Sequence, residues 1–81
     1  MTKNEIYDKV NEVFRDVFDD DSILVNEKTT ANDIEDWDSL EHINLVVAIE
    51  EKFGMKFNMG EVTSMKNVGE MVKILEQRAT I

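Results

Sequence analysis

The chain has 81 residues and contains no cysteine, no proline and only three glycines. Without cysteine it has no disulfide framework, no thiolate metal site and no cysteine nucleophile. It has one histidine, His42, and no cluster of ligands at metal-binding spacing, so we expect no bound metal. Proline, the strongest breaker of helices, interrupts no segment.

Basic residues are also few, with 9 Lys and Arg against 18 Asp and Glu and a net charge of −9. This balance repels nucleic acid phosphates and anionic lipid headgroups, so we expect neither nucleic acid nor a membrane as a partner. It suits docking onto enzymes with basic patches, although an acidic surface also simply keeps a small protein in solution. No apolar run is long enough to span a bilayer and the start of the chain lacks signal-peptide features, so a cytoplasmic location is expected.

A chain of this length is predicted to form a single domain over residues 1–81 with one small core. Apolar residues recur at helical spacing and no strand-period run of any length occurs, so we predict an all-α fold. Thr2 and Glu5 form a capping box that opens the first helix. Its apolar stripe consists of Ile6, Val10, Val13, Phe14 and Val17, widened by Tyr7 and Phe18.

Three more helices are predicted after a long connection that runs from Asp19 to Asp38. The second helix spans Ser39 to Phe53, a short third helix begins at Met59 and ends near Thr63, and a fourth follows Asn67. Each predicted N-cap has an acidic residue three positions later; the pairs are Asp38 with Glu41, Asn58 with Glu61, and Asn67 with Glu70. A turn of helix is expected over residues 31–34 of the connection. Its expected apolar anchors are Ile23, Leu24, Val25, Ile34 and Trp37.

The start of the second helix is the most informative stretch for function. With Asp38 as N-cap, Ser39 is the first residue inside the helix, so its hydroxyl lies at the exposed, dipole-positive end. A phosphate ester formed there would meet unpaired backbone N–H groups and a favourable field. Ser39 is therefore well placed for covalent modification.

The motif Asp38-Ser39-Leu40, followed by an apolar helix that ends in Glu50-Glu51-Lys52-Phe53-Gly54, resembles the acyl carrier proteins. The likeness runs roughly from Ile6 to Leu75. It implies a four-helix bundle of acyl-carrier type, with a long loop between helices 1 and 2 and a short third helix. It also implies a free-standing monomeric carrier, not an enzyme, whose Ser39 bears a 4′-phosphopantetheine arm. Two residues depart from the family pattern. Many members have Gly at the position of Asp36, and the fatty-acid carriers usually have an acid at the position of Asn44.

The second helix carries two apolar faces. Leu45, Val46, Ile49 and Phe53 form the expected core face, while Leu40, Ile43 and Val47 lie opposite and are expected to stay exposed. By resemblance, this exposed side contacts a phosphopantetheinyl transferase and acyl-transferring and acyl-processing enzymes. The expected partner-binding residues are Glu41, Ile43, Asn44, Val47, Glu50 and Glu51. The candidate lining for a sheltered acyl chain, core residues first, is Leu45, Ile49, Val62, Val68 and Met71.

Three other functions are compatible with the residues. Ser39 and His42 are close enough in sequence to suggest a hydrolase, but there is no Gly-x-Ser-x-Gly elbow and little room for a pocket. We therefore expect no catalytic residues. His42 is interpreted as a packing or cavity-edge residue. An unmodified acidic helical module could bind a partner through its exposed apolar strip. An aminoacyl or peptidyl carrier shares the motif. Carriage of acyl groups in fatty-acid or a related specialised biosynthesis is the main prediction.

Overall fold

A computed structural model describes residues 2–78. The helices are α1 (Lys3–Val17), α2 (Ser39–Phe53), α3 (Met59–Ser64) and α4 (Val68–Arg78), and a short 3-10 helix, Ala31–Asp33, lies in the connection between α1 and α2. Residues 2–78 contain no strand, which confirms the predicted all-α class. Helix α3 extends one residue beyond its predicted end at Thr63. Within the described range, no helix has the length and apolar character needed to cross a membrane.

The core lies where α1 packs against both α2 and α4. The stripes predicted for these helices supply it, and the face of α2 expected to be buried is buried. The large side chains that are almost fully removed from solvent are Ile6, Val10, Phe14, Leu45, Ile49, Phe53, Val68, Met71, Val72 and Leu75. Burial of one such side chain stabilises the fold by about 1.5–3 kcal/mol, so this cluster fixes the orientation of α2.

Two predicted capping boxes are present in full. The Thr2 hydroxyl accepts the Glu5 N–H at 3.2 Å while the Glu5 carboxylate accepts the Thr2 N–H at 2.9 Å. Asn58 and Glu61 make the same reciprocal pair at 2.8 and 2.9 Å. These contacts satisfy N–H groups that have no partner within the helix, so they define where α1 and α3 begin.

The other two predicted boxes are only half formed. Asp38 accepts the Glu41 N–H, but the N–H of Asp38 donates to the carbonyl of Asp36 at 3.0 Å and not to Glu41. At α4, the Asn67 side chain accepts the Glu70 N–H at 2.9 Å, whereas the Glu70 carboxylate accepts from the N–H of Lys66 at 2.6 Å. In both cases a different local partner takes the second bond.

The connection between α1 and α2 is held by a buried asparagine. The Asn11 amide donates to the carbonyl of Tyr7 at 3.0 Å and its oxygen accepts the Val25 N–H at 2.6 Å. This bond turns Val25 into the core, where it is 4% exposed, and leaves its neighbour Leu24 75% exposed. The prediction that Leu24 anchors the connection is therefore wrong. Ile34 and Trp37 pack against the core as predicted.

The same connection contacts the start of α4. The N–H groups of Val68 and Gly69 donate to the carbonyls of Thr29 and Glu27, at 2.9 and 3.0 Å. Two N–H groups that the helix itself leaves unpaired are thereby satisfied by main chain from more than thirty residues earlier. The connection is thus fixed to α1 by Asn11 and to α4 by these two bonds.

Candidate functional site

Ser39 is the first residue of α2 and its side chain is exposed. The Asp38 carboxylate accepts the Glu41 N–H at 2.8 Å, and the Asp38 carbonyl accepts the His42 N–H at 2.9 Å. Within residues 2–78, these bonds leave the Ser39 hydroxyl and the N–H groups of Ser39 and Leu40 without a partner. An oxyanion attached to Ser39 would therefore meet two free donors at the positive end of a 15-residue helix.

A cleft of about 510 Å³ opens beside Ser39. It lies between the start of α2, helix α3 and the segment that leads into α4. The residues that line it are Ala31, Trp37, Asp38, Ser39, His42, Ile43, Val62, Thr63, Met65, Lys66, Asn67 and Met71. Its lining is mixed: apolar side chains lie beside hydroxyl, amide and imidazole groups, so it suits a narrow chain that carries polar groups.

The five candidates for an acyl shelter separate into two groups. Val62 and Met71 line the cleft, as expected. Leu45, Ile49 and Val68 are completely buried among the other core side chains and do not line it. These three residues therefore act as core, the role that the sequence placed first.

His42 lies at the edge of the cleft and both of its ring nitrogens are engaged. Nδ1 accepts a hydrogen bond from the indole N–H of Trp37 at 3.1 Å, and Nε2 lies 3.0 Å from the carbonyl of Val62. Since an indole N–H can only donate, Nδ1 must be the unprotonated nitrogen and Nε2 must carry the proton. No lone pair is left to accept a proton from Ser39. The arrangement supports the packing interpretation of His42 and opposes a serine–histidine hydrolase.

The outer side of α2 exposes the apolar residues that were expected there. Leu40, Ile43 and Val47 are 70%, 57% and 47% exposed. They follow Ser39 along the helix and form an apolar strip on the solvent side.

The acidic and amide residues around this strip differ in their surroundings. Glu51 is exposed and Asn44 donates to the Glu41 carboxylate at 3.4 Å. Glu50 is half-buried, and its carboxylate accepts the Phe57 N–H at 2.7 Å. Glu50 therefore holds the segment after α2 in place in addition to any contact with a partner.

The bridge from Trp37 through His42 to α3 was not predicted from the sequence. Trp37 and His42 are five residues apart, but Val62 lies twenty residues beyond His42, and no local pattern connects them.

Across residues 2–78, no three His, Asp or Glu side chains come together as a metal site.

No protein-family model matches the chain. The acyl carrier protein of Petrotoga mobilis is 33% identical over 81 residues, which is 100% of this chain and 95% of that protein. The acyl carrier protein of Acidothermus cellulolyticus is 35% identical over 72 residues, covering 89% and 86% of the two chains. The solution structure of holo acyl carrier protein from Geobacter metallireducens is 45% identical with a TM-score of 0.82, over 88% of this chain and 82% of that one.

Proposed function

Since this chain belongs to the acyl carrier protein family, we propose that it carries acyl groups as thioesters on a 4′-phosphopantetheine arm attached to Ser39. The carrier role comes with the family, whose members are carriers and not catalysts. The family also implies the prosthetic group, and the attachment point is our assignment. The observation that supports it is the exposed Ser39 hydroxyl at the first position of α2, without a hydrogen-bond partner in the described part of the chain.

The residues around Ser39 fit such a group. A phosphodiester on the Ser39 oxygen would accept hydrogen bonds from the N–H groups of Ser39 and Leu40. Asp38 fixes the start of α2 at Ser39, because its side chain caps the helix. The arm supplies the thiol that the polypeptide, which has no cysteine, lacks. The cleft offers both apolar surface and polar groups, such as Thr63 and Asn67, to a chain that contains amides.

The family implies two kinds of partner, a transferase that adds the arm and enzymes that process the acyl group. We assign their contact surface to the exposed side of α2. The assigned residues are Glu41, Ile43, Asn44, Val47, Glu50 and Glu51. Apolar side chains beside carboxylates suit a partner with a basic rim around an apolar patch, where the charges steer association. A long arm then raises the local concentration of cargo at a docked enzyme without tight binding.

A role in fatty-acid biosynthesis is typical of this family. The single domain over residues 1–81 and the cytoplasmic location stay predictions from the sequence. The aminoacyl carrier and the unmodified interaction module are not favoured, because the relatives are named acyl carrier proteins.

Intact mass spectrometry tests the attachment site. The chain is coexpressed with a phosphopantetheinyl transferase as wild type, Ser39→Ala and Ser64→Ala. Ser64 is a matched control because it is also exposed and also lies at a helix end. We expect the mass of one arm on the wild type and on Ser64→Ala, and none on Ser39→Ala. An arm that persists on Ser39→Ala would refute the assignment, and an unmodified wild type would favour the interaction module.

A further inference from the structure

The imidazole of His42 joins three segments at the mouth of the cleft. Trp37 belongs to the connection before α2, His42 lies in the first turns of α2, and the carbonyl of Val62 belongs to α3. The indole and imidazole rings are nearly parallel, with an interplanar angle of 25° and centroids 5.8 Å apart. Trp37 is itself fixed, because its ring stands edge-on to Phe14 at 5.3 Å.

Helix α3, by contrast, has few attachments. It has six residues, none of which is buried. The carbonyl of Val62 falls in the last turn, where no N–H of the same helix can reach it. His42 supplies that missing donor. The other side-chain tie from α3 to a neighbouring helix within residues 2–78 is the ion pair of Glu61 with Arg78.

We propose that His42 is a positioning residue that latches α3 against α2 and so sets the width of the cleft beside Ser39. The neutral ring with its proton on Nε2 satisfies both contacts at once. Loss of the Nε2–H removes the donor to the Val62 carbonyl, which frees α3 from α2 at this point and widens the cleft.

The charged groups near this latch are few. Among the residues that line the cleft, Asp38 at the start of α2 and Lys66 before α4 carry charge, and the lining residues of α3, Val62 and Thr63, do not ionise. From α1, the rings of Phe14 and Phe18 face Trp37. The effect on acyl cargo rests on the proposed function, because only a modified Ser39 would deliver cargo to the cleft. The latch itself does not.

The test uses the unmodified chain, in which the one histidine and the one tryptophan give unique side-chain signals. Isotope-labelled wild type and His42→Phe are compared by NMR at one pH. We expect the amides of Val62 and Thr63 to exchange with solvent faster in His42→Phe, because α3 has lost the donor to the Val62 carbonyl. Amides of α3 that exchange at the wild-type rate in a folded His42→Phe would overturn the proposal.

Two substitutions separate the hydrogen bonds from the shape of the ring. His42→Gln keeps one acceptor and one donor without the ring, so its α3 amides are expected to exchange at a rate between those of the wild type and His42→Phe. His42→Phe keeps a ring and removes both bonds. At the same pH, the Trp37 indole N–H is expected to exchange with solvent about tenfold faster in His42→Phe than in His42→Gln, the size of one net hydrogen bond. Equal exchange rates would contradict the latch. If His42→Phe does not fold, α3 amides that exchange in His42→Gln at the wild-type rate would contradict it.

The cargo effect is measured on protein loaded with an octanoyl thioester. Hydroxylamine cleavage is expected to be at least threefold faster in His42→Phe than in His42→Gln, because a wider cleft gives the reagent more access to the thioester. Equal cleavage rates would refute the link to cargo. Failure of the proposed function looks different, since Ser39 would then accept no arm while the exchange rates of the unmodified chain and its variants would be unaffected.

Discussion

The N–H of Gly69 donates to the carbonyl oxygen of Glu27 at 3.0 Å, and a Cβ atom on residue 69 would lie 2.8 Å from that same oxygen. Real Cβ atoms essentially never approach an oxygen so closely. A glycine is required here because main chain meets main chain where the connection crosses the start of α4.

We predict that Gly69→Ala destabilises the fold by about 1–3 kcal/mol, because a backbone carbonyl must move to admit the methyl group. This loss of stability is opposite to the usual effect, since a Gly to Ala substitution inside a helix ordinarily stabilises by up to about 1 kcal/mol. Gly60→Ala is the matched control: its Cβ would meet the Asn58 side-chain oxygen at 3.4 Å, an ordinary contact. Urea unfolding followed by circular dichroism measures both, and a Gly69→Ala chain as stable as Gly60→Ala would contradict the close approach.

Asn11 is the buried polar residue that fixes the long connection. We predict that Asn11→Leu lowers the free energy of unfolding by about 1–3 kcal/mol, because the Val25 N–H loses its acceptor in a buried place. Asn11→Asp keeps an acceptor for Val25 but puts a charged oxygen in place of the donor to the Tyr7 carbonyl at a buried site, so it should also lose stability at neutral pH. An Asn11→Leu chain as stable as the wild type in chemical denaturation would show that the bond to Val25 contributes little.

Asp38 is predicted to act as a helix cap more than as a charge. Asp38→Ala should reduce stability by about 1 kcal/mol, because the Glu41 N–H loses its acceptor. Asp38→Asn keeps the cap, since Asn and Asp are about equally good at this position. Thermal unfolding of the two variants provides the comparison. If both lose the same stability, the carboxylate charge at the start of α2 matters more than its hydrogen bond.

Two neighbouring acids on α2 are predicted to respond differently to charge reversal. Glu50→Lys should cost about 1–3 kcal/mol of stability, because it leaves the Phe57 N–H without its carboxylate. Glu51→Lys should change stability by no more than about 0.5 kcal/mol, because Glu51 is exposed. It should instead slow arm transfer to Ser39, most strongly at low salt, where charge steering is least screened. Transfer kinetics that are independent of salt in both proteins would remove Glu51 from the proposed docking surface.

The acid sensitivity of the fold is predicted to depend partly on Glu61. The N–H of Asn58 holds the pKa of the Glu61 carboxyl below its ordinary value of 4.5, and Arg78 adds to this lowering against the opposing effect of desolvation. A pKa lowered by folding means that the stabilisation is complete above 4.5 and is lost as the pH falls through the lower, folded value. Glu61→Gln should therefore lose less stability between about pH 5 and 3 than the wild type.

Thermal unfolding across a pH series measures this slope. Glu51→Gln is the control, because it removes one exposed carboxylate from α2 without touching a cap. A wild-type slope in Glu61→Gln would mean that other carboxylates dominate the acid transition.

The helices and the position of Ser39 could be predicted because their signals are local. A cap residue, an acid three positions later and an apolar stripe lie within one or two turns of each other, and the starts of α1, α2 and α3 fall where these patterns place them. The exposed strip of α2 was predictable for the same reason, since a helix has one core side and its opposite side follows from geometry.

The errors and omissions concern contacts between distant parts of the chain. Leu24 is exposed because the side chain of Asn11, fourteen residues before Val25, selects which residue of the connection turns inward. The bond between Glu27 and Gly69 and the bridge to Val62 likewise join segments that no sequence window contains. Such contacts depend on how the helices pack, and that arrangement is determined by all the core side chains together.

The fixed connection between α1 and α2 limits how the bundle can accommodate a guest. Thr29 and Glu27 tie that connection to α4, and Asn11 ties it to α1, so three of the four helices described in residues 2–78 are braced through one stretch of main chain or through the core. A bulky guest therefore has to be accommodated by displacement of α3. The six residues Met59–Ser64 move outward, while α1, α2 and α4 keep their packing.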